Sequence, residues 1–145
     1  MTMPQSAASV AHHVFPVTVY WEDTDAGGIV YYANYLRFAE RARTELLRAA
    51  GIDQRELAAE TGQLFAVRRV EAEYLAPARL DDSLEVVTRV MTTRGATVDM
   101  EQVVRRGDDV LVRMMVQIAC VNGRGRATRL PAAAARAFGT GGARS

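Results

Sequence analysis

A chain of 145 residues, 49% hydrophobic and 24% charged, is long enough to bury a core as one domain and lacks a disorder signature over most of its length. Its formal net charge of +1 gives no bulk electrostatic case for nucleic acid or a membrane surface. The cations are all arginine, most simply a coding bias, and the one cysteine, Cys120, excludes an intrachain disulfide. Cys120 lies in an apolar run and reads as buried filler rather than a nucleophile.

Residues 1–13 are small, polar and aperiodic, and a flexible N-terminal tail is expected there. They lack the basic-then-apolar order of a secretory signal, and no apolar run reaches bilayer length, so a soluble cytoplasmic protein without stable membrane insertion is expected. His12 and His13 point apart and have no third ligand nearby, so they suggest no metal pair. The main domain is expected over residues 14–130. Its first strand runs over 14–21, with Pro16 favouring an edge or an irregular start.

An acidic turn follows, Asp23-Thr24-Asp25-Ala26-Gly27-Gly28. It resembles the opening of a calcium loop, but the twelfth position holds Asn34 where that loop needs Glu. It also resembles an aspartyl-phosphate signature, without the repeated βα units that chemistry uses. Asp favours turns in any case. Yet Asp25 stands just before a helix start, where unpaired N–H groups and the positive end of the helix dipole face outward. A carboxylate beside such donors can attack an acyl group, or activate water to attack it, while the donors hold the oxyanion.

From 29 to 50 the apolar residues Tyr31, Tyr35, Phe38, Ala39, Ala42, Leu46 and Ala49 recur at helical spacing, with charges on the other face. Gly51 is the expected stop, and Asp53 the N-cap of a short second helix ended by Gly62. Strands are expected over 64–76, 84–93, 96–105 and 110–121, separated by Pro77, Arg94-Gly95 and Gly107-Asp108. A short helix over 131–138 precedes a tail expected to be disordered. The pattern is α+β: an antiparallel sheet of about five strands with one long helix at its centre.

The run Tyr20-Trp21-Glu22-Asp23-Thr24-Asp25-Ala26-Gly27-Gly28-Ile29-Val30-Tyr31-Tyr32-Ala33-Asn34-Tyr35, followed by Glu40-Arg41-Ala42-Arg43-Thr44-Glu45, resembles the hotdog-fold acyl-CoA thioesterases. The subfamily is that of 4-hydroxybenzoyl-CoA thioesterase and the Tol–Pal-associated enzymes. Val70-Glu71-Ala72-Glu73-Tyr74-Leu75-Ala76-Pro77-Ala78-Arg79-Leu80-Asp81-Asp82 looks like that family's strand junction, and the likeness covers roughly residues 17–121. The resemblance implies a hotdog fold and hydrolysis of an acyl-CoA thioester to a free acid and CoA. It implies Asp25 as nucleophile or general base, and the backbone N–H of Tyr32 as the group that polarises the carbonyl.

Tol–Pal-associated members commonly carry His at the position of Tyr32 and often Tyr at that of Trp21, while Tyr32 matches the 4-hydroxybenzoyl members. The acyl group therefore stays open between aromatic and aliphatic. Gly27 and Gly28 would let backbone approach the thioester, Asn34 would orient the loop or line the pocket, and Arg94 would meet the CoA phosphates. No metal or separate cofactor is implied, since CoA is part of the substrate. The family's members are homodimers or homotetramers with CoA held across the interface. A non-catalytic hotdog module that binds acyl-CoA or a protein is the alternative, because fold does not fix function. A hotdog hydratase would need a histidine beyond Asp25, and none occurs.

Overall fold

The computed structural model describes residues 12–142 of the chain, with 139–142 described by their backbone. The tails expected over residues 1–11 and 143–145 lie outside the described residues. Five runs of alternating character become strands β1 (His12–Thr18), β2 (Leu64–Tyr74), β3 (Ser83–Arg94), β4 (Thr97–Arg106) and β5 (Asp109–Val121). They pair into one antiparallel sheet in the order β1-β3-β4-β5-β2. Among the described residues there are also three α-helices: α1 (Asn34–Ala49), α2 (Gln54–Thr61) and α3 (Ala132–Gly142). The α+β class and the five antiparallel strands agree with the expectation.

The period of two decides which side of the sheet is dry. Leu84, Val86, Thr88 and Val90 of β3, Val98, Met100, Gln102 and Val104 of β4, and Val112, Met114, Val116 and Ile118 of β5 are buried on one face. The intervening positions carry charge laced across the strands: Arg105 with Glu85 at 2.8 Å, Arg94 with Asp99 at 3.1 Å, and Glu101 between Arg89 and Arg113. Such exposed pairs add little stability each, but they keep this face wet.

Helix α1 presents Tyr35, Phe38, Ala39, Ala42, Leu46 and Leu47 to the core, and it packs on β1 and β3. The small Ala39 and Ala42 bring its backbone close to the sheet. There the buried Gln102 donates from Nε2 to the Ala39 carbonyl at 3.0 Å and to Thr88 Oγ1 at 2.9 Å. Its Oε1 accepts from the Arg43 guanidinium at 2.9 Å. Burial lowers the Arg43 pKa from its ordinary value, and the charge of Glu40 works the other way.

Boundaries differ where tertiary partners outcompete local pattern. The helix expected from residue 29 starts at Asn34, because Ile29 and Val30 are taken into extended pairing with Arg79 and Thr24. The first strand ends at Thr18 instead of 21, since Val19 N–H turns to the Asp82 carbonyl and Trp21–Asp23 forms a 3₁₀ turn. It also begins at His12, two residues inside the stretch expected to be a tail. The second strand ends at Tyr74, and α3 continues through Gly142 where disorder was expected. Asp53 caps α2 as expected, accepting from the Arg55 and Glu56 N–H groups, and Gly62 ends it at φ +75°.

Replacing Gln102 by Leu keeps the volume but leaves Thr88 and Arg43 without their shared partner. The expected loss is about 1–3 kcal/mol of unfolding free energy in urea titrations, against a near-neutral change for Gln117→Leu on the wet face.

Candidate active site

The segment between β1 and α1 folds as a small extended hook. Asp23 starts it: its carboxylate accepts the Tyr20 N–H at 2.9 Å, and its carbonyl accepts the Tyr31 N–H at 3.1 Å and Asn34 Nδ2 at 2.9 Å. Asn34 therefore joins the first turn of α1 to the base of the hook. At the tip, the Asp25 N–H donates to the Ile29 carbonyl at 2.9 Å and the Asp25 carbonyl accepts the Gly28 N–H at 3.1 Å. Gly28 closes this turn at φ +79°, a backbone region that a side chain disfavours.

The Asp25 carboxylate is exposed, and one oxygen accepts the Gly27 N–H at 2.7 Å. That bond fixes one lone-pair direction and leaves the second oxygen free to act on an incoming group. A methyl group at Gly27 would stand 3.3 Å from the bonded oxygen, tighter than most such contacts. The glycine thus makes room for the carboxylate's own orientation.

Next to the hook, Tyr32 and Ala33 lie in the turn that leads into α1, with Ala33 as N-cap. Their carbonyls accept from Tyr35 and Leu36 N–H, while within the described residues their own N–H groups find no acceptor. Donors of this kind at a helix start, close in sequence to a carboxylate, can hold negative charge that develops on a carbonyl oxygen. The Tyr32 ring is 61% exposed and meets Tyr74 edge-on at 5.9 Å, and Tyr74 in turn lies 5.8 Å from the Tyr35 ring. Trp21 is 78% exposed in the 3₁₀ turn, and its carbonyl takes two bonds from Thr24.

Asp25, Gly27, Gly28, Tyr32 and Asn34 therefore share one end of the molecule, with Trp21 at its rim. Arg94 does not join them within the chain. The hook docks beside the start of β3, whereas Arg94 ends that strand, about 35 Å away at the rise of an extended chain. There it pairs with Asp99. Strand numbering alone could not reveal this, because a hairpin turn gives no information about which end of the sheet it occupies.

One supporting group was not foreseen as part of the site. Tyr35 was expected in the helix stripe; its ring is buried, and its hydroxyl accepts the Ala78 N–H at 2.9 Å. Burial raises its pKa above the ordinary phenol value, partly offset by that bond. Ala78 in turn accepts the Val30 N–H at 2.9 Å, so the helix, the hook and the 76–82 turn are joined at one point. No sequence signal separates such a tyrosine from an ordinary core aromatic. Among the described residues no group of three or more His, Cys, Asp or Glu side chains is arranged to hold a metal ion.

Comparison with known proteins gives one consistent answer. Residues 19–138 match the model of the thioesterase-like superfamily. The chain is 47% identical over 108 residues to the acyl-CoA thioesterase YbgC of Haemophilus influenzae, covering 74% of this chain and 79% of that protein. It is equally identical over 109 residues to the acyl-CoA thioester hydrolase YbgC of Escherichia coli O6:H1, covering 74% and 81%. A solved structure of a probable thioesterase from Bartonella henselae superposes with a TM-score of 0.80 at 40% identity, over 83% of this chain and all of that one.

Because Tyr35 is held neutral in the fold, the unfolded state releases its phenolic proton first as pH rises. Stability from this group is complete below about pH 10 and is lost between that value and the higher folded pKa. Urea unfolding between pH 8 and 11 should show this decline, and Tyr35→Phe should flatten it. The same variant should lose about 1–3 kcal/mol at pH 8, because the Ala78 N–H is left without an acceptor.

Proposed function

The chain belongs to the thioesterase-like superfamily, and from that membership and the hook geometry we propose that it hydrolyses acyl-CoA thioesters to a free carboxylic acid and CoA. The observation that carries this reading is the exposed Asp25 carboxylate, with one oxygen pinned by the Gly27 N–H at 2.7 Å beside a helix start with open N–H donors.

In the reading, the thioester carbonyl rests against the Tyr32 N–H, which takes up the charge of the tetrahedral oxyanion. The free oxygen of Asp25 either attacks the carbonyl carbon or removes a proton from the attacking water. By the first route the C–S bond breaks, the CoA thiolate leaves and is protonated, and water cleaves the acyl-aspartyl anhydride. By the second, the proton taken from water passes on to the departing thiolate. Both end in one acid and one CoA thiol. A groove of about 300 Å³ supports acyl binding: it starts at Leu36 in the first turn of α1 and is lined by Ala39, Val67, Val70, Met114 and Val116, with Glu40 and Arg43 on its wall.

A homodimer or homotetramer belongs to the same proposal. Strand β2 is bonded to β5 along one edge only, and Val67, Val70 and Tyr74 on it are exposed together with Leu36. Exposed apolar side chains beside an unpaired strand edge favour a partner. In such an assembly an arginine at the far end of the sheet, Arg94, can serve a CoA bound at the Asp25 of another copy, which one chain alone does not allow. The family resemblance supports, within this proposal, a cytoplasmic setting and association with the Tol–Pal system.

CoA release should be followed with short aliphatic, long aliphatic and hydroxybenzoyl thioesters. Asp25→Asn is expected to lower kcat by roughly 10²–10⁴-fold on every ester the wild type accepts, with Tm unchanged. Full activity in that variant would remove Asp25 from the mechanism. Binding of CoA esters without release by the wild type would identify the non-catalytic module instead.

A further inference from the structure

The hook that carries Asp25 is held at its entry by Asp82 and at its exit by Arg79, which is itself bonded to Asp82. At its entry, the Val19 N–H donates to the Asp82 carbonyl at 2.9 Å, and the Val19 carbonyl accepts the neighbouring Asp81 N–H at 3.0 Å. At its exit, Ile29 pairs with Arg79, and the Arg79 N–H donates to the Asp82 carboxylate at 2.8 Å. The Asp82 N–H closes the same turn on the Arg79 carbonyl at 3.0 Å. Ile29 is the residue whose carbonyl accepts the Asp25 N–H. Asp82 therefore bonds to the strand that enters the hook and to the turn that holds the strand leaving it.

Asp82 is itself held from the sheet. Arg106, the last residue of β4, donates from its guanidinium to the same carboxylate oxygen at 2.7 Å. Burial opposes ionisation of Asp82, yet the Arg79 N–H and the Arg106 charge together hold its carboxyl below the ordinary carboxylate range. In the same turn Asp81 occupies the left-handed region at φ +72°, and the Asp82 carboxylate folds back onto the Arg79 N–H of its own loop. Among the described residues the side-chain hydrogen bond of Arg106 goes to Asp82, and its charge also reaches Tyr35, so Asp82 is its bonded link to the hook.

We propose that Asp82, fixed by Arg106, is a positioning residue that sets the register of the hook and thereby the placement of the Asp25 carboxylate relative to the Tyr32 N–H. The proposal rests on the hydrolase reading only for its kinetic readout. Its structural readout is independent of activity. Misplacement of a reacting group by about 1 Å can lower a rate by roughly 10²-fold without a change in binding, whereas a residue that serves only the fold lowers Tm and leaves the rate per folded molecule alone.

The test uses the full chain with Arg106→Met, Asp82→Ala, the milder Asp82→Asn, and the double variant Asp82→Ala/Arg106→Met. Amide hydrogen exchange is followed by mass spectrometry in the peptide over 19–33 and in peptides of β4 and β5. The expected result is exchange in 19–33 faster by about 10-fold in Arg106→Met and Asp82→Ala, with β4 and β5 unchanged. On a thioester that the wild type hydrolyses, kcat should fall by roughly 10–100-fold and KM stay within about twofold. The double variant should be no worse than Asp82→Ala, because the arginine acts through the carboxylate.

Unchanged exchange in 19–33 for Arg106→Met and Asp82→Asn would overturn the proposal. So would faster exchange spread over the whole sheet with kcat preserved, which is the signature of a purely structural residue. A wild type that releases no CoA from any ester would overturn the hydrolase reading, and the exchange comparison would then decide the clamp by itself.

Discussion

A helix laid on a sheet must approach closely enough to exclude water, and here Ala39 and Ala42 set the distance between α1 and the strands. The backbone of α1 comes so near that the Ala39 carbonyl falls within reach of Gln102, a fully buried amide in the middle of β4. That amide would be costly alone. It is satisfied because Thr88 and Arg43 supply its remaining partners, and the polar triad then admits only one rotation of the helix over the sheet. With α1 fixed, Tyr35 in its first turn falls beneath Ala78, and the 76–82 turn becomes the anchor of the hook. The position of the Asp25 carboxylate is thus the last step of a sequence that begins with two alanines.

Much of this frame was legible in the residues because it follows from periodicity and from turn chemistry. Alternation identified the β strands, Asp53 and Gly62 bounded α2, and the Asp-rich turn with its paired glycines marked the hook. The glycines have separate reasons that only coordinates distinguish. Gly28 supplies a positive φ, and Gly27 leaves room for the carboxylate that its own N–H pins. The likeness to thioesterases already pointed to the same turn.

The rest was illegible because it depends on partners distant in sequence. Ile29 and Val30 continue a helical pattern on paper, yet the backbone of Arg79 and Ala78 offers them extended pairing, and β-branched residues accept it readily. Asp82 looks like one more acid in an Asp-Asp turn, and nothing local indicates that Arg106, 24 positions later, would reach it. Arg94 shows the converse limit. Its turn was recognised, but only the length of β3 reveals that it stands at the opposite end of the sheet from the hook.

The exposure of Asp25 bears on how the proposed chemistry can work. Donors that stabilise an oxyanion are far more effective where water is excluded, because the local dielectric then falls. In a single chain the carboxylate, the Tyr32 ring and the Trp21 ring all face solvent, and so do Tyr74 and Leu36 beside them. Either the substrate itself covers these groups or a second copy does. The free edge of β2 carries Tyr74 at its end, and Tyr74 is packed against Tyr32. A partner strand added along that edge would therefore shield the hook at the same time as it buries Val67 and Val70. Under the proposed function, assembly and water exclusion are then one event, and the aromatic contact between Tyr74 and Tyr32 is the physical link between them.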